Sequence, residues 1–207
     1  MGDLTTLLQA HLPELAVAGA LAWGAGIRLY LVVFVFGLAS ALGYWQLPAH
    51  LSVLSHPLVL AAAGFMMIVE LFADKLPFLD TAWDAVHTFI RIPAGATLAA
   101  AAFGDAGLAV ATAAAILGGS ITATTHFSKA GTRAVANTSP EPLSNVALSF
   151  AEDASVMAAS WLAMSQPLVF LGLLAVFLLA ALMLMRWLLA GARRLFRRDA
   201  AAQAGRR

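Results

Sequence analysis

The run PLVFLGLLAVFLLAALMLM at residues 167–185 contains no ionisable side chain, and it constrains this chain more than any other feature. About 20 apolar residues in an α-helix cross a bilayer core about 30 Å thick. In hydrocarbon, only a helix or a closed barrel satisfies its own backbone. Similar apolar stretches recur along the 207 residues and leave almost nothing for a soluble domain. Charged residues are 11% of the chain and hydrophobic ones 61%. An ordinary soluble domain has about 25% charged residues. This balance excludes disorder, a coiled coil and a water-soluble globule.

Seven apolar segments are legible, at about 5–24, 27–45, 55–73, 81–103, 106–128, 143–164 and 167–190. The first is interrupted by Gln9, His11, Pro13 and Glu14, so it either spans or forms a re-entrant or broken helix. Pro57 suits a helix start, and Gly104-Asp105 is a turn signal. The expected fold is an all-α, polytopic transmembrane helix bundle of six or seven apolar segments. It forms one domain over 1–190, with an Arg-rich tail at 191–207. AGIR at 25–28 echoes AGTR at 130–133, and FAD at 72–74 echoes FAED at 150–153, a weak internal repeat. Small-residue stretches such as GATLAAAAFGDAG allow close helix packing within one chain or between copies in a homo-oligomer.

Charge placement orients the chain. Seven arginines fall between Arg186 and Arg207, after the last apolar run. Basic residues flanking a span favour the cytoplasmic side, so the C-terminus is expected there. Counting back through seven spans puts Arg28, Lys75, Lys129 and Arg133 in inside loops. The outside loops at 46–54, 104–105 and 165–166 then hold no Lys or Arg. The basic tail reads as a lipid-facing topology signal rather than a nucleic-acid site. The opening residues, MGDLTTLLQAHLPEL, lack the basic region of a secretion signal. A bacterial inner membrane is the expected location, and the bilayer the expected partner. With no cysteine, disulfides and thiolate chemistry are excluded.

Ionisable residues within apolar segments are costly and usually face a protein interior or an aqueous path. They fall into three groups. Glu70 and Asp74 lie four residues apart, and Asp80, Asp84, His87 and Arg91 follow at steps of four, three and four. At about 100° per residue these last four form one narrow stripe. The stripe either lines a polar path or lies in water on an interfacial helix. The second group, Thr122, His126, Lys129 and Arg133, repeats the four-three-four step if the helix continues past Gly131. Its Ser and Thr residues read as helix-packing groups. The third group contains Asn145, Ser149 and the adjacent carboxylates Glu152 and Asp153, halfway along the sixth segment. Two carboxylates at that depth need a cation, a positive partner or a proton. Arg91, His87, Lys129 and Arg133 are the partners in view. This group is either a register-fixing ion pair or an ion or proton site.

His87 and His126, with Glu70, Asp84, Glu152 and Asp153, offer a hard ligand set, but no compact metal motif is present. No nucleophile elbow or phosphate-binding loop occurs. No cofactor and no enzymatic activity are expected. The motifs AGIRLYL at 25–31, ELFADKLPFLDTAWDAVHTFIRIPAG at 70–95 and KAGTRAVANTSPEPLSNVALSFAED at 129–153 resemble a bacterial integral membrane family, domain-of-unknown-function family 4126. The resemblance covers nearly the whole chain except the tail. It implies a helical inner-membrane protein and carries no activity. The leading expectation is a small transporter or channel-like protein that moves a cation, proton or small solute. Alternatives are a non-transporting assembly protein held by interhelical ion pairs, and a membrane-embedded metal enzyme.

Overall fold

The computed structural model describes residues 4–74, 79–136 and 142–204, with side chains described at 11–74, 79, 82–136 and 146–187. Six α-helices carry the chain: α1 (Leu4–Ala41), α2 (Pro57–Ala73), α3 (Leu79–Ala102), α4 (Leu108–Ala136), α5 (Pro142–Ser165) and α6 (Pro167–Ala204). Short 3-10 helices at Ala49–Ser55 and Gly104–Ala106 connect α1 to α2 and α3 to α4. No strand occurs among the described residues. Local chemistry sets several ends. The His56 side chain accepts the Leu58 N–H at 3.2 Å to cap α2, and Pro57 occupies its first turn, where no N–H is needed.

The helix α1 is broken at Arg28, where φ is −144° and ψ is 79°. The chain reverses there. In a straight helix, residues eight apart are separated by about 12 Å along the axis. A Cβ on Gly24 would instead lie 2.7 Å from Val32 Cγ2. Pro13, Glu14 and Val17 line one cavity together with Gln46, Leu47 and Pro48. The arms 4–27 and 29–41 therefore run antiparallel, much as the apolar segments on either side of the expected turn at 24–28. The break falls between the first two segments, whereas the sequence suggested an irregularity within the first.

Two other boundaries move. The fifth segment does not stop near 128. Helix α4 continues to Ala136, so Lys129 and Arg133 project from a helix rather than a loop. Helix α6 runs on to Ala204, carrying the Arg-rich sequence in helical backbone.

By length and composition alone three stretches, His11–Ala41, Leu108–Ala136 and Pro167–Trp187, are apolar enough to cross a membrane, the first of them folded back at Arg28. The pair Ala49–Ser55 and Pro57–Ala73, bent by 64°, makes a fourth if taken as one span. This is fewer than the six or seven expected. One physical reason is that α3 and α5 carry ionisable groups in their first halves, which lowers their apolar content.

Successive runs alternate between two ends. At one end Arg28 meets Asp74 at the close of α2, at 2.6 Å, and Lys129 of α4 meets Asp84 of α3, at 3.4 Å. At the other, His50 and Asp105 pair at 3.3 Å. The chain forms two compact units, Met1–Gly172 and Leu173–Arg207, and all the residues just named belong to the first.

The interior is inverted relative to a soluble protein. Arg28, Arg91 and Arg133 are the largest fully buried side chains, whereas Phe65, Phe72, Phe89 and Trp161 are exposed. Apolar surface outside and charge inside is the arrangement a hydrocarbon solvent selects.

Close packing of α1, α3 and α4 depends on glycine. A Cβ on Gly26 would sit 2.7 Å from the Thr122 carbonyl oxygen, and one on Gly95 would collide with the Thr122 side chain. Gly26→Ala must therefore push backbone aside, at an expected cost of about 1–3 kcal/mol. Gly131, on the exposed side of α4, has nothing within 4 Å of its would-be Cβ. Gly131→Ala is expected to stabilise the helix by about 0.5–1 kcal/mol. Thermal unfolding in detergent checks both. Equal midpoints for the two variants would contradict the packing argument.

Candidate functional site

Five helical elements bring the ionisable groups to one end of the first unit. The last turn of α2 presents Glu70, with Asp74 as its C-cap residue. Asp84, His87 and Arg91 come from α3, His126, Lys129 and Arg133 from α4, and Ser149, Glu152 and Asp153 from α5. Arg28 stands at the break in α1.

The stripe of α3 is buried. Asp84 and His87 are each 4% exposed and Arg91 is 0% exposed. The reading in which this face lies in water on an interfacial helix is thereby corrected. The water-free side of α3 is the charged one, and Phe89 points outward. The side chains of Asp80 and Asn145, and all of Lys75, lie outside the described residues.

One half of the cluster is centred on Asp74. Its Oδ2 lies 2.6 Å from Arg28 Nη1, 3.3 Å from Lys129 Nζ and 3.4 Å from Arg133 Nη2. Arg133 donates through Nη1 to the Asp74 carbonyl at 2.9 Å. Its guanidinium also grips Glu152 bidentately, Nη2 to Oε2 at 2.8 Å and Nε to Oε1 at 3.0 Å. That fork geometry fixes orientation as well as charge. Arg28 Nε approaches Asp153 Oδ1 at 2.9 Å and Glu152 Oε2 at 3.5 Å. Arg28 Nη2 donates to the Ser149 hydroxyl oxygen at 2.6 Å and to its carbonyl at 3.2 Å.

The other half is centred on Arg91. It donates to Glu70 Oε1 at 2.5 Å and to Asp84 Oδ1 at 2.8 Å, and its Nη1 lies 3.3 Å from His126 Nδ1. His126 Nε2 lies 2.7 Å from Thr88 Oγ1. Lys129 joins the halves. Its Nζ is 3.3 Å from Asp74, 3.4 Å from Asp84 and 3.6 Å from Glu152, and it donates to the Ile27 carbonyl at 3.1 Å. The Ile27 carbonyl precedes the break, so non-helical backbone is satisfied inside protein, as membrane depth requires.

His87 stands beside this cluster and makes none of its ion pairs. Its Nδ1–H donates to the Trp83 carbonyl at 2.9 Å. The ring stacks on Trp83 with centroids 3.9 Å apart and meets Tyr30 edge-on at 5.9 Å. Neither His87 nor Arg91 reaches Glu152 or Asp153, which are met instead by Arg28, Lys129 and Arg133.

The residue that sequence reading misses is Arg28, which the span count places in a loop. A signal existed: it is the one Asp, Glu, Lys or Arg between Glu14 and Glu70. The echoed motifs also converge. Arg28 of AGIR and Arg133 of AGTR both contact Asp74 of FAD and Glu152 of FAED.

The Ser and Thr residues of α4 behave as packing groups. Ser120, Thr124 and Thr125 each donate to a carbonyl four residues back, and Thr122 reaches both Gly118 and Ala22 carbonyls at 2.8 Å.

Among the described residues the cluster holds five carboxylates, Glu70, Asp74, Asp84, Glu152 and Asp153. It holds four obligate cations, Arg28, Arg91, Lys129 and Arg133. Among the described residues the carboxylates outnumber these cations by one. The arrangement does not resemble a metal centre. Protein cations occupy the space between the carboxylates, and among the described residues no three His, Asp or Glu groups are placed to share a metal ion.

No curated protein and no solved structure matches the chain. The model of DUF4126, a domain of unknown function, matches residues 15–187, and thus takes in every member of the charge cluster. The chain belongs to the DUF4126 family.

Proposed function

We propose that this protein is a small membrane transporter or channel-like protein that moves a proton or a small cation through its buried charge cluster. The observation that carries this reading is the burial, among the described residues, of five carboxylates around four fixed cations. An unneutralised carboxylate in a low-dielectric interior is too costly to persist. A proton or an exchangeable cation is the simplest neutraliser. Glu152 and Asp153, with side chains 14% and 20% exposed, are the accessible members, and the other three carboxylates are at most 5% exposed. Exchange is therefore assigned to the Glu152–Asp153 rim.

The proposal includes a bacterial inner-membrane location, six or seven crossings and a cytoplasmic C-terminus. Orientation rests on the arginines from Arg186 onward. Arg28, Lys129 and Arg133 are buried in ion pairs and are not loop charges, so they carry less weight in a positive-inside argument than the sequence suggested.

Proteoliposomes with an internal pH dye, given proton, Na⁺ or K⁺ gradients, test the reading. The wild-type chain is expected to pass one of these ions above the rate of empty vesicles. Asp153→Asn should still fold, because Arg28 keeps Asp74, Glu152 and the Ser149 hydroxyl as partners. It should also abolish the flux. Flux no faster than empty vesicles, or unchanged in Asp153→Asn, would sink the transport reading. A non-transporting scaffold is the second reading. It is favoured by one observation: every cation in the cluster contacts at least two acceptor atoms.

A further inference from the structure

At the end of the first unit opposite the charge cluster lies a cavity of about 340 Å³. Its lining includes Glu14, Gln46, Pro48, Met164 and Pro167. We propose that this cavity binds a small organic ammonium cation, with Glu14 as the counter-charge.

Four observations lead there. Glu14 is part-buried, and its Oε2 atom is buried with no hydrogen-bond partner and no ion pair among the described residues. A buried carboxylate oxygen without a donor is costly, and a ligand that supplies N–H groups and positive charge removes the cost. Helix α5 ends here at Ser165, so the partial negative charge of its C-terminus faces the same region. Pro167 has no N–H, so it cannot donate to a carbonyl of the last turn of α5. Gln46 and Leu47 of the lining lie in non-helical backbone, whose amides are not committed to a helix.

The chemistry of the walls selects the ligand class. One carboxylate matches one positive charge. Hard divalent ions require six or more oxygen ligands, and Val17, Leu47 and Met164 make part of the lining apolar. Acceptors at one side and apolar wall at the other suit an ammonium head on a short hydrocarbon. The volume is at the lower end of small-molecule sites, about 300–1,000 Å³. The site shares no residue with the charge cluster and does not depend on the transport reading.

The test is equilibrium titration of the purified full chain in detergent with n-butylammonium chloride, using n-butanol and sodium chloride as controls. Saturable binding of butylammonium is expected, with none for butanol. Glu14→Gln should weaken binding by about tenfold or more, as expected for loss of a charge-assisted hydrogen bond. Glu14→Asp should retain most of it. Without ligand, Glu14→Gln should unfold at the wild-type temperature or above, because it removes an unpaired charge. Absence of saturable butylammonium binding, or equal affinity in Glu14→Gln, would overturn the proposal. No flux is measured, so either result leaves the transport reading to its own assay.

Discussion

Asp74→Ala is expected to leave little or no folded protein. The Asp74 side chain is 0% exposed, and its Oδ2 is within 3.4 Å of three cations. Removing it leaves Arg28, Lys129 and Arg133 facing one another in the interior. Breaking a single buried pair costs about 3–5 kcal/mol, because the surviving charge is left without compensation. Here three charges lose a shared partner, against a total stability of about 5–15 kcal/mol for a typical protein. Glu152 and Asp153 still hold Arg28 and Arg133 in part, which keeps the loss below three separate pairs. Asp74→Asn keeps the shape and an acceptor oxygen and should be intermediate. The measurements are the yield of monodisperse protein and the unfolding midpoint in one detergent. A wild-type midpoint for Asp74→Ala would show that the buried cations do not need this carboxylate.

The second large effect is expected at Arg91, and it has an internal rescue. Arg91→Met strands Glu70, whose side chain is 1% exposed and whose ion pair to Arg91 is its only one among the described residues. Asp84 keeps Lys129 at 3.4 Å. The single variant should therefore lose about 3–5 kcal/mol, mostly through Glu70. Adding Glu70→Met removes the stranded charge and restores apolar packing at the same place. Replacing a whole buried pair by apolar residues is often neutral or favourable. The double variant is thus expected to be more stable than Arg91→Met alone, with a coupling of about 1–3 kcal/mol. Additive losses in the double-mutant cycle would mean that Glu70 is neutralised by something other than Arg91.

Much of the site was legible along the chain. The three-four spacing of Asp84, His87 and Arg91 places three buried groups on one face of α3, because helical periodicity is a local property. The adjacent carboxylates Glu152 and Asp153 need a positive partner, a cation or a proton, and Arg28 and Arg133 lie beside them. The identity of those partners was not legible. Arg91 and His87 were named, yet Arg91 is held by Glu70 and Asp84, and His87 packs between Trp83 and Tyr30. Arg28 was read as a loop charge because it sits near a chain reversal. That reversal turns inward, so the same position that looked like a loop is the centre of the interior. The length of α4 was underestimated for a related reason. Polar residues after 128 suggested an exit to water, whereas Lys129 and Arg133 continue the helix beside buried carboxylates.

The sequence by itself determined that this chain is helical and apolar outside. Backbone pairing in a helix is local, and transfer of each side chain from water adds up along the chain independently of its distant neighbours. It also determined which ionisable groups are too costly to face lipid. Only the tertiary structure decided how those charges are shared. Which carboxylate meets which cation depends on how far α1 folds back at Arg28 and how closely glycines let α1, α3 and α4 approach. Those distances are set by packing between helices far apart in sequence, and no linear spacing encodes them.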